Sequence, residues 1–138
     1  MIDVVGISFV NSNKIYYFNI NGLDLDKKDV VIVETERGEQ YGIVKTSVIN
    51  IDQTLLQNEV KNVLRKATKE DEKQNDTNIK DSIKALEDCG RIKDELGLDM
   101  KILSASFTFD RKQLLFNFLA DDRVDFRELA KRLAAIYR

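Results

Sequence analysis

The strongest nucleophile in the chain is the thiol of Cys89, and it has no partner of its own kind. The 138 residues contain no histidine and no second cysteine. A Cys–His couple, a histidine-based triad and a multi-cysteine metal site each require residues that are missing. Cys89 also falls in the middle of an apolar helical arc, which favours a buried structural thiol over a nucleophile or cluster ligand. The acidic pairs Asp121–Asp122 and Asp125–Glu128 have the composition of an acid/base couple or a divalent-ion site. A turn and a helix start account for both pairs, as turn-forming and capping residues. The six glycines, at 6, 22, 38, 42, 90 and 97, show neither the dinucleotide-binding spacing nor the P-loop spacing. The expectation is a protein that is not an enzyme and whose chain holds no metal or cofactor.

Aromatic and basic residues are the remaining candidates. Tyr16, Tyr17 and Phe18 follow one another, and such aromatics on a small barrel can stack nucleic-acid bases. Alternation sends at least one of them inward, which favours core packing plus a protein-contact surface. Arg65, Lys66, Lys69, Arg91 and Lys93 could form a basic patch, but Glu70, Asp71, Glu72, Asp88, Asp94 and Glu95 are interleaved with them. That pattern describes a mixed solvated face. Lys and Arg total 22 against 24 Asp and Glu, and a net charge of -2 argues against a dedicated nucleic-acid binder.

The elements that must position these groups follow from periodicity. Val5, Ile7 and Phe9 alternate with Val4, Gly6 and Ser8, and Lys14–Phe18 forms a second strand, followed by a turn at Asn21–Gly22. Val30–Val33 is apolar on both faces, as a central strand would be. Glu36–Arg37–Gly38 turns it into a strand over 40–44. From Thr54 the spacing of Leu56, Val60, Val63, Leu64 and Ala67 becomes helical, with Thr54 and Gln57 shaped like a capping box, and predicts a helix over 54–70. The polar stretch 69–78 leaves its end open.

A second helix is predicted over 78–96 from Ile79, Ile83, Leu86, Cys89, Ile92 and Leu96, closed by Gly97. A hairpin is expected over 100–119, with Leu103, Ala105, Phe107 and Phe109 on one side. A last helix over 125–137 would be capped by Asp125 and Glu128, stapled by Val124 and Leu129, and buried along Phe126, Leu129, Leu133 and Ile136. The expected class is α+β, with a small SH3-like antiparallel β-barrel lobe at 1–50 and an α-α-β-β-α lobe at 51–138.

With 43% hydrophobic and 33% charged residues the composition is globular, and no stretch approaches the ~20 apolar residues of a membrane span. Membrane insertion is not expected. The N-terminus enters a strand pattern without a signal peptide's basic and apolar regions, so a cytoplasmic location is expected.

Several segments resemble one family. They include Lys14–Phe18, Asn21–Gly22, Asp29–Thr35, Gly38, Tyr41–Gly42 and Val44, then Val63–Thr68 with Glu70–Asp71 and Leu98–Lys101. Thr108–Phe109–Asp110, Leu115–Phe116, Phe118 and Ala120 follow, and the sharpest run is Arg123-Val124-Asp125-Phe126-Arg127-Glu128-Leu129-Ala130. Across the whole chain, these resemble the RicT (YaaT) family, which carries the polymerase-suppressor C-terminal domain. The resemblance implies a cytoplasmic adaptor that joins two small helical partners, YlbF-like and YmcA-like, and directs the endoribonuclease RNase Y. It further implies effects on mRNA processing and, in spore formers, on sporulation, biofilm formation and competence. Full-length relatives continue into a cysteine-rich segment with iron–sulfur ligands, and Cys89 alone cannot supply these. RNA binding is the alternative reading. Because Asp125, Phe126 and Glu128 have structural roles in the shared run, Arg123 and Arg127 remain without an internal partner and are candidate contacts, together with Tyr16 and Arg65.

Overall fold

The computed structural model describes residues 1–9, 13–55 and 60–137. The chain divides into two compact units, Met1–Asn75 with Thr108–Gln113 and Asp76–Phe107 with Leu114–Arg138. The division falls inside a helix, not at residue 50.

The first unit is built on a curled antiparallel sheet. Its strands are β1 (Ile2–Phe9), β2 (Tyr16–Asn19), β3 (Val30–Thr35), β4 (Gly38–Val44), β5 (Ile49–Ile51) and β6 (Val63–Lys66). The order is β2-β1-β4-β3-β6, with β5 pairing the start of β1. Alternation decides what is inside: Val5, Ile7, Phe18, Val31, Val33, Val44 and Val63 share one core with Leu25. β3 lies between β4 and β6, and Val31, Ile32 and Val33 are all buried, so its run of β-branched residues is apolar on both faces because neither face meets water. The sheet curls until its edges touch. Asn19 of β2 forms an isolated parallel bridge with Asn62, its amide donates to the Lys61 carbonyl at 2.9 Å, and Asn21 Nδ2 donates to the Val63 carbonyl at 3.2 Å.

Of the described residues in the helix expected over 54–70, only Lys69 and Glu70 are α-helical. Gln53–Leu55 is a short 3-10 turn, residues 56–59 with Leu56 and Gln57 lie outside the described residues, and Val63–Lys66 is strand β6. Helical spacing loses because β3 offers an unpaired edge: pairing Val33 with Val63 and Ile32 with Arg65 satisfies its backbone and buries Val63 completely. The Thr54 amide is taken by Asp52 Oδ1 at 3.0 Å, in a local turn.

The helix starts instead at α1 (Lys69–Glu95). Its capping box is Thr68 and Asp71: the Thr68 amide donates to Asp71 Oδ2 at 2.8 Å and the Asp71 amide to Thr68 Oγ1 at 3.2 Å. The polar stretch 69–78 is therefore helical and continuous with the helix predicted over 78–96. The far end closes as a Schellman motif, with Gly97 at φ +67°, its amide on the Asp94 carbonyl and the Leu98 amide on the Lys93 carbonyl.

The second unit holds the rest of α1, the hairpin β7 (Met100–Phe107) and β8 (Leu114–Ala120), and α2 (Arg127–Ile136). Cys89, Ile92, Met100, Leu129 and Leu133 form its core, with Ile102, Phe116 and Phe126 packed against them. Three expectations need correction. A bulge between Ile102 and Ser104 shifts the alternation, so Ile102 faces the core and Leu103 is exposed. On α1, Ile83 is exposed, and the buried face runs through Asn78, Ser82, Ala85, Cys89 and Ile92. α2 begins at Arg127 with Phe126 at the cap position and no side-chain cap, so the Asp125–Glu128 box is not made, and Ile136 is exposed. The class is mixed α+β: a half-barrel sheet, two helices and a second small sheet among the described residues.

Candidate interaction surfaces

Strand β2 lies at one end of the sheet order and pairs along its length only with β1. Phe18 is buried in the core, whereas Tyr16 and Tyr17 are 45% and 49% exposed. Alternation cannot hide both tyrosines at the start of a four-residue edge strand. Tyr16 leans on Phe9, with ring centroids 5.7 Å apart, and keeps an outer face.

Arg65, on β6, reaches Asp71 in the first turn of α1. Nη2 donates to Oδ1 at 3.0 Å and Nη1 donates to Oδ2, a two-pronged pair. Hydrogen bonds from Arg65 lead in holding the Asp71 carboxyl down at about 2, against its burial and helped by the Thr68 amide. Arg65 thus has a structural task as well as a half-exposed guanidinium. Three of the other basic residues also have acidic neighbours: Lys66 with Asp29, Arg91 with Asp88 and Glu95, Lys93 with Asp94.

Arg123 and Arg127 are the most projecting of the four contact candidates, with side chains 92% and 91% exposed. Neither lacks a partner. Arg127 Nη2 lies 2.7 Å from Asp125 Oδ2 and its amide donates to Asp125 Oδ1 at 3.0 Å; these hydrogen bonds hold the Asp125 carboxyl at about 2. Arg123 Nη2 lies 3.8 Å from Asp121 Oδ2. Spacing of two residues between acid and base was the available signal, and the expected capping role for Asp125 obscured it. Tyr16 and Arg65 belong to the first unit, Arg123 and Arg127 to the second.

Two polar clusters escaped sequence reasoning. In the first unit, Asp110 accepts the Glu39 amide at 2.9 Å, the Thr108 hydroxyl at 2.7 Å and the Lys112 amide at 3.1 Å. Burial alone would raise its pKa, and these donors outweigh that and hold it below the usual range. In the second, the Tyr137 hydroxyl donates to Asp88 Oδ2 at 2.5 Å; burial first, then Asp88, pushes the phenol up to about 12.

Cys89 is buried, and desolvation raises its thiol pKa. As the chain's one cysteine it does not fit an iron–sulfur cluster, which needs several thiolates. Among the described residues, no group of three or more His, Cys, Asp and Glu could hold a metal ion, and no helix is long and apolar enough to cross a membrane.

Residues 61–138, from the approach to β6 to the C-terminal residue, match the model of the PSP1 C-terminal conserved region. The chain belongs to that family. It is 40% identical over 138 residues, its whole length, to Stage 0 sporulation protein YaaT of Bacillus subtilis (strain 168), and spans 50% of that protein. An uncharacterized protein of Schizosaccharomyces pombe is 27% identical over 152 residues, covering 90% of this chain and 20% of its own length. Protein PSP1 of Saccharomyces cerevisiae is 49% identical over 41 residues, 30% of this chain and 5% of the yeast protein. The chain therefore spans half of its bacterial relative and a smaller share of the two yeast proteins. No solved structure matches it.

Within the PSP1 C-terminal region, the Arg123–Ala130 run coincides with the Asp125–Arg127 pair and the start of α2, and Thr108–Asp110 with the buried turn.

Proposed function

We propose that the chain is the adaptor part of a YaaT-like regulatory protein, working in the cytoplasm without catalysis of its own. The observation that carries this reading is the 40% identity to the sporulation protein YaaT along every part of the chain. It is supported by surfaces made of projecting arginines and exposed aromatics, the residue types favoured at protein contacts.

On this reading the chain helps a YlbF-like and a YmcA-like protein assemble and brings them to RNase Y. The consequences are altered mRNA processing and, in a spore former, altered sporulation and biofilm development. Co-elution with the YlbF-like/YmcA-like pair of the same organism on a sizing column tests it: a shared peak is expected, and separate elution at tens of micromolar overturns the assignment of the adaptor surface to this chain.

A second reading, RNA binding, is favoured by the two exposed tyrosines of β2. It predicts an affinity for single-stranded RNA that falls steeply as salt is raised and is lost in a Tyr16→Ala, Tyr17→Ala double variant.

A further inference from the structure

Among the described residues, the hairpin of the second unit leaves the β8 edge without a strand partner. β7 and β8 pair with each other and with no other strand among the described residues. The β7 edge is occupied at both ends: the Met100 amide donates to the Leu98 carbonyl at 3.1 Å and the Phe107 amide to Ser82 Oγ at 3.2 Å. Among the described residues, no hydrogen bond reaches the backbone of Leu114–Ala120 beyond the ladder to β7, so β8 presents a row of peptide groups with no strand partner.

That edge lacks the usual protections. Leu114–Ala120 carries no charge and no proline, features that natural edge strands use to discourage pairing. Phe118 and Leu119 are 44% and 61% exposed, and Leu103, at the bulge of β7, is exposed too. An uncovered edge of this kind is a template for another strand.

The order of residues identifies the strand that fits. Leu115-Phe116-Asn117-Phe118-Leu119 is the same in both directions about Asn117. We propose that β8 pairs antiparallel with β8 of a second copy across a two-fold axis at Asn117, joining two hairpins into one four-stranded sheet. In that register Asn117 meets its own copy, Phe116 meets Phe118 and Leu115 meets Leu119. Like then meets like along five positions, as aromatic and aliphatic cross-strand pairs that stabilise a sheet. An isologous contact brings the residue on the axis against its own copy, a penalty for a charged residue that the uncharged Asn117 avoids. Pairing through β8 uses up that edge, and the two-fold symmetry of the contact closes it at two copies.

The test is the mass of the full chain in solution by light scattering across micromolar concentrations, with Asn117→Lys and Asn117→Asp as variants. Both changes lie at an exposed position, and circular dichroism verifies that each variant is folded. The wild-type chain is expected at about twice its 15.9 kDa. Each variant alone places like charges face to face and should dimerise at least about tenfold more weakly, while an equal mixture should recover the dimer by pairing Lys with Asp. In a Cys89→Ser background, Asn117→Cys should give a covalent dimer on mild oxidation. A monomeric wild type, a dimer indifferent to both charges, or an equal mixture that stays monomeric overturns the proposal.

Discussion

Asp110 and Glu39 hold each other across 71 positions of sequence: the Asp110 carboxylate accepts the Glu39 amide, and the Glu39 carbonyl accepts the amide of Phe109 at 2.7 Å. Two backbone turns thus clasp, with Phe109 stacked on Tyr41 at a centroid distance of 6.1 Å and Thr108 completely buried beneath. Gly38 makes the approach feasible. It has a φ of +130°, and a Cβ there would come within 2.8 Å of Asp110 Oδ2.

Asp110→Ala leaves the Glu39 amide and the Thr108 hydroxyl without their acceptor and should cost roughly 1–3 kcal/mol in urea unfolding. Gly38→Ala should cost a similar amount, about 1–3 kcal/mol, through backbone strain and the clash with the carboxylate. In the double variant the clash partner is gone, so the two losses should add to less than their sum.

The capping box of α1 sets an acid limit. Asp71 has a folded value of about 2 against an ordinary 3.8, so its contribution is complete above the ordinary value and lost as pH falls from there toward 2. The carboxyl is nearly buried, but its partner Arg65 is half in solvent, which reduces the benefit to roughly 1–2 kcal/mol. Asp71→Asn should lower stability by about that amount at pH 7 and flatten the acid limb of the stability curve.

Tyr137 sets the corresponding alkaline limit. Its phenol is raised from 10 to about 12, so the folded state favours the protonated form; the stabilisation is complete below the ordinary value and lost as pH climbs through about 12. Tyr137→Phe should destabilise by about 1–2 kcal/mol at neutral pH and remove from the ultraviolet absorbance curve the phenol that ionises at about 12.

The Cys89 thiol should be inert toward a disulfide reagent in the folded chain and react at once in denaturant. Cys89→Ala should cost about 1–2 kcal/mol as a small cavity, whereas Cys89→Asp, an unpaired buried charge, should prevent folding of the second unit.

How much of this was legible in the sequence depended on which period the residues obeyed. Val5 and Ile7, the two-sided run Val31–Val33, and the Gly97 stop produced strands and a helix end where their patterns placed them, because burial and backbone preference agreed. β6 was hidden because Val60, Val63 and Leu64 fit a helix as well as a strand; only the unpaired edge of β3, a partner distant in sequence, decides. The Thr68–Asp71 box was present in the letters but sat within a stretch whose polarity concealed the helix it starts. Asn78 and Ser82 line a buried face because the Ser82 hydroxyl donates to the Asn78 carbonyl at 2.6 Å and accepts the Phe107 amide, partnerships that composition does not show. For the contact candidates, sequence located projecting arginines at 123 and 127 and missed their acidic neighbours, since the same Asp125 suited a cap.

The adaptor reading is tested most directly by calorimetric titration of this chain into the YlbF-like/YmcA-like pair near physiological salt, with Arg123→Ala and Arg127→Ala beside the wild type. Saturable heat with a fixed stoichiometry, weakened about tenfold or more in the arginine variants, is the predicted result; no heat and no complex at high micromolar concentration would contradict the account.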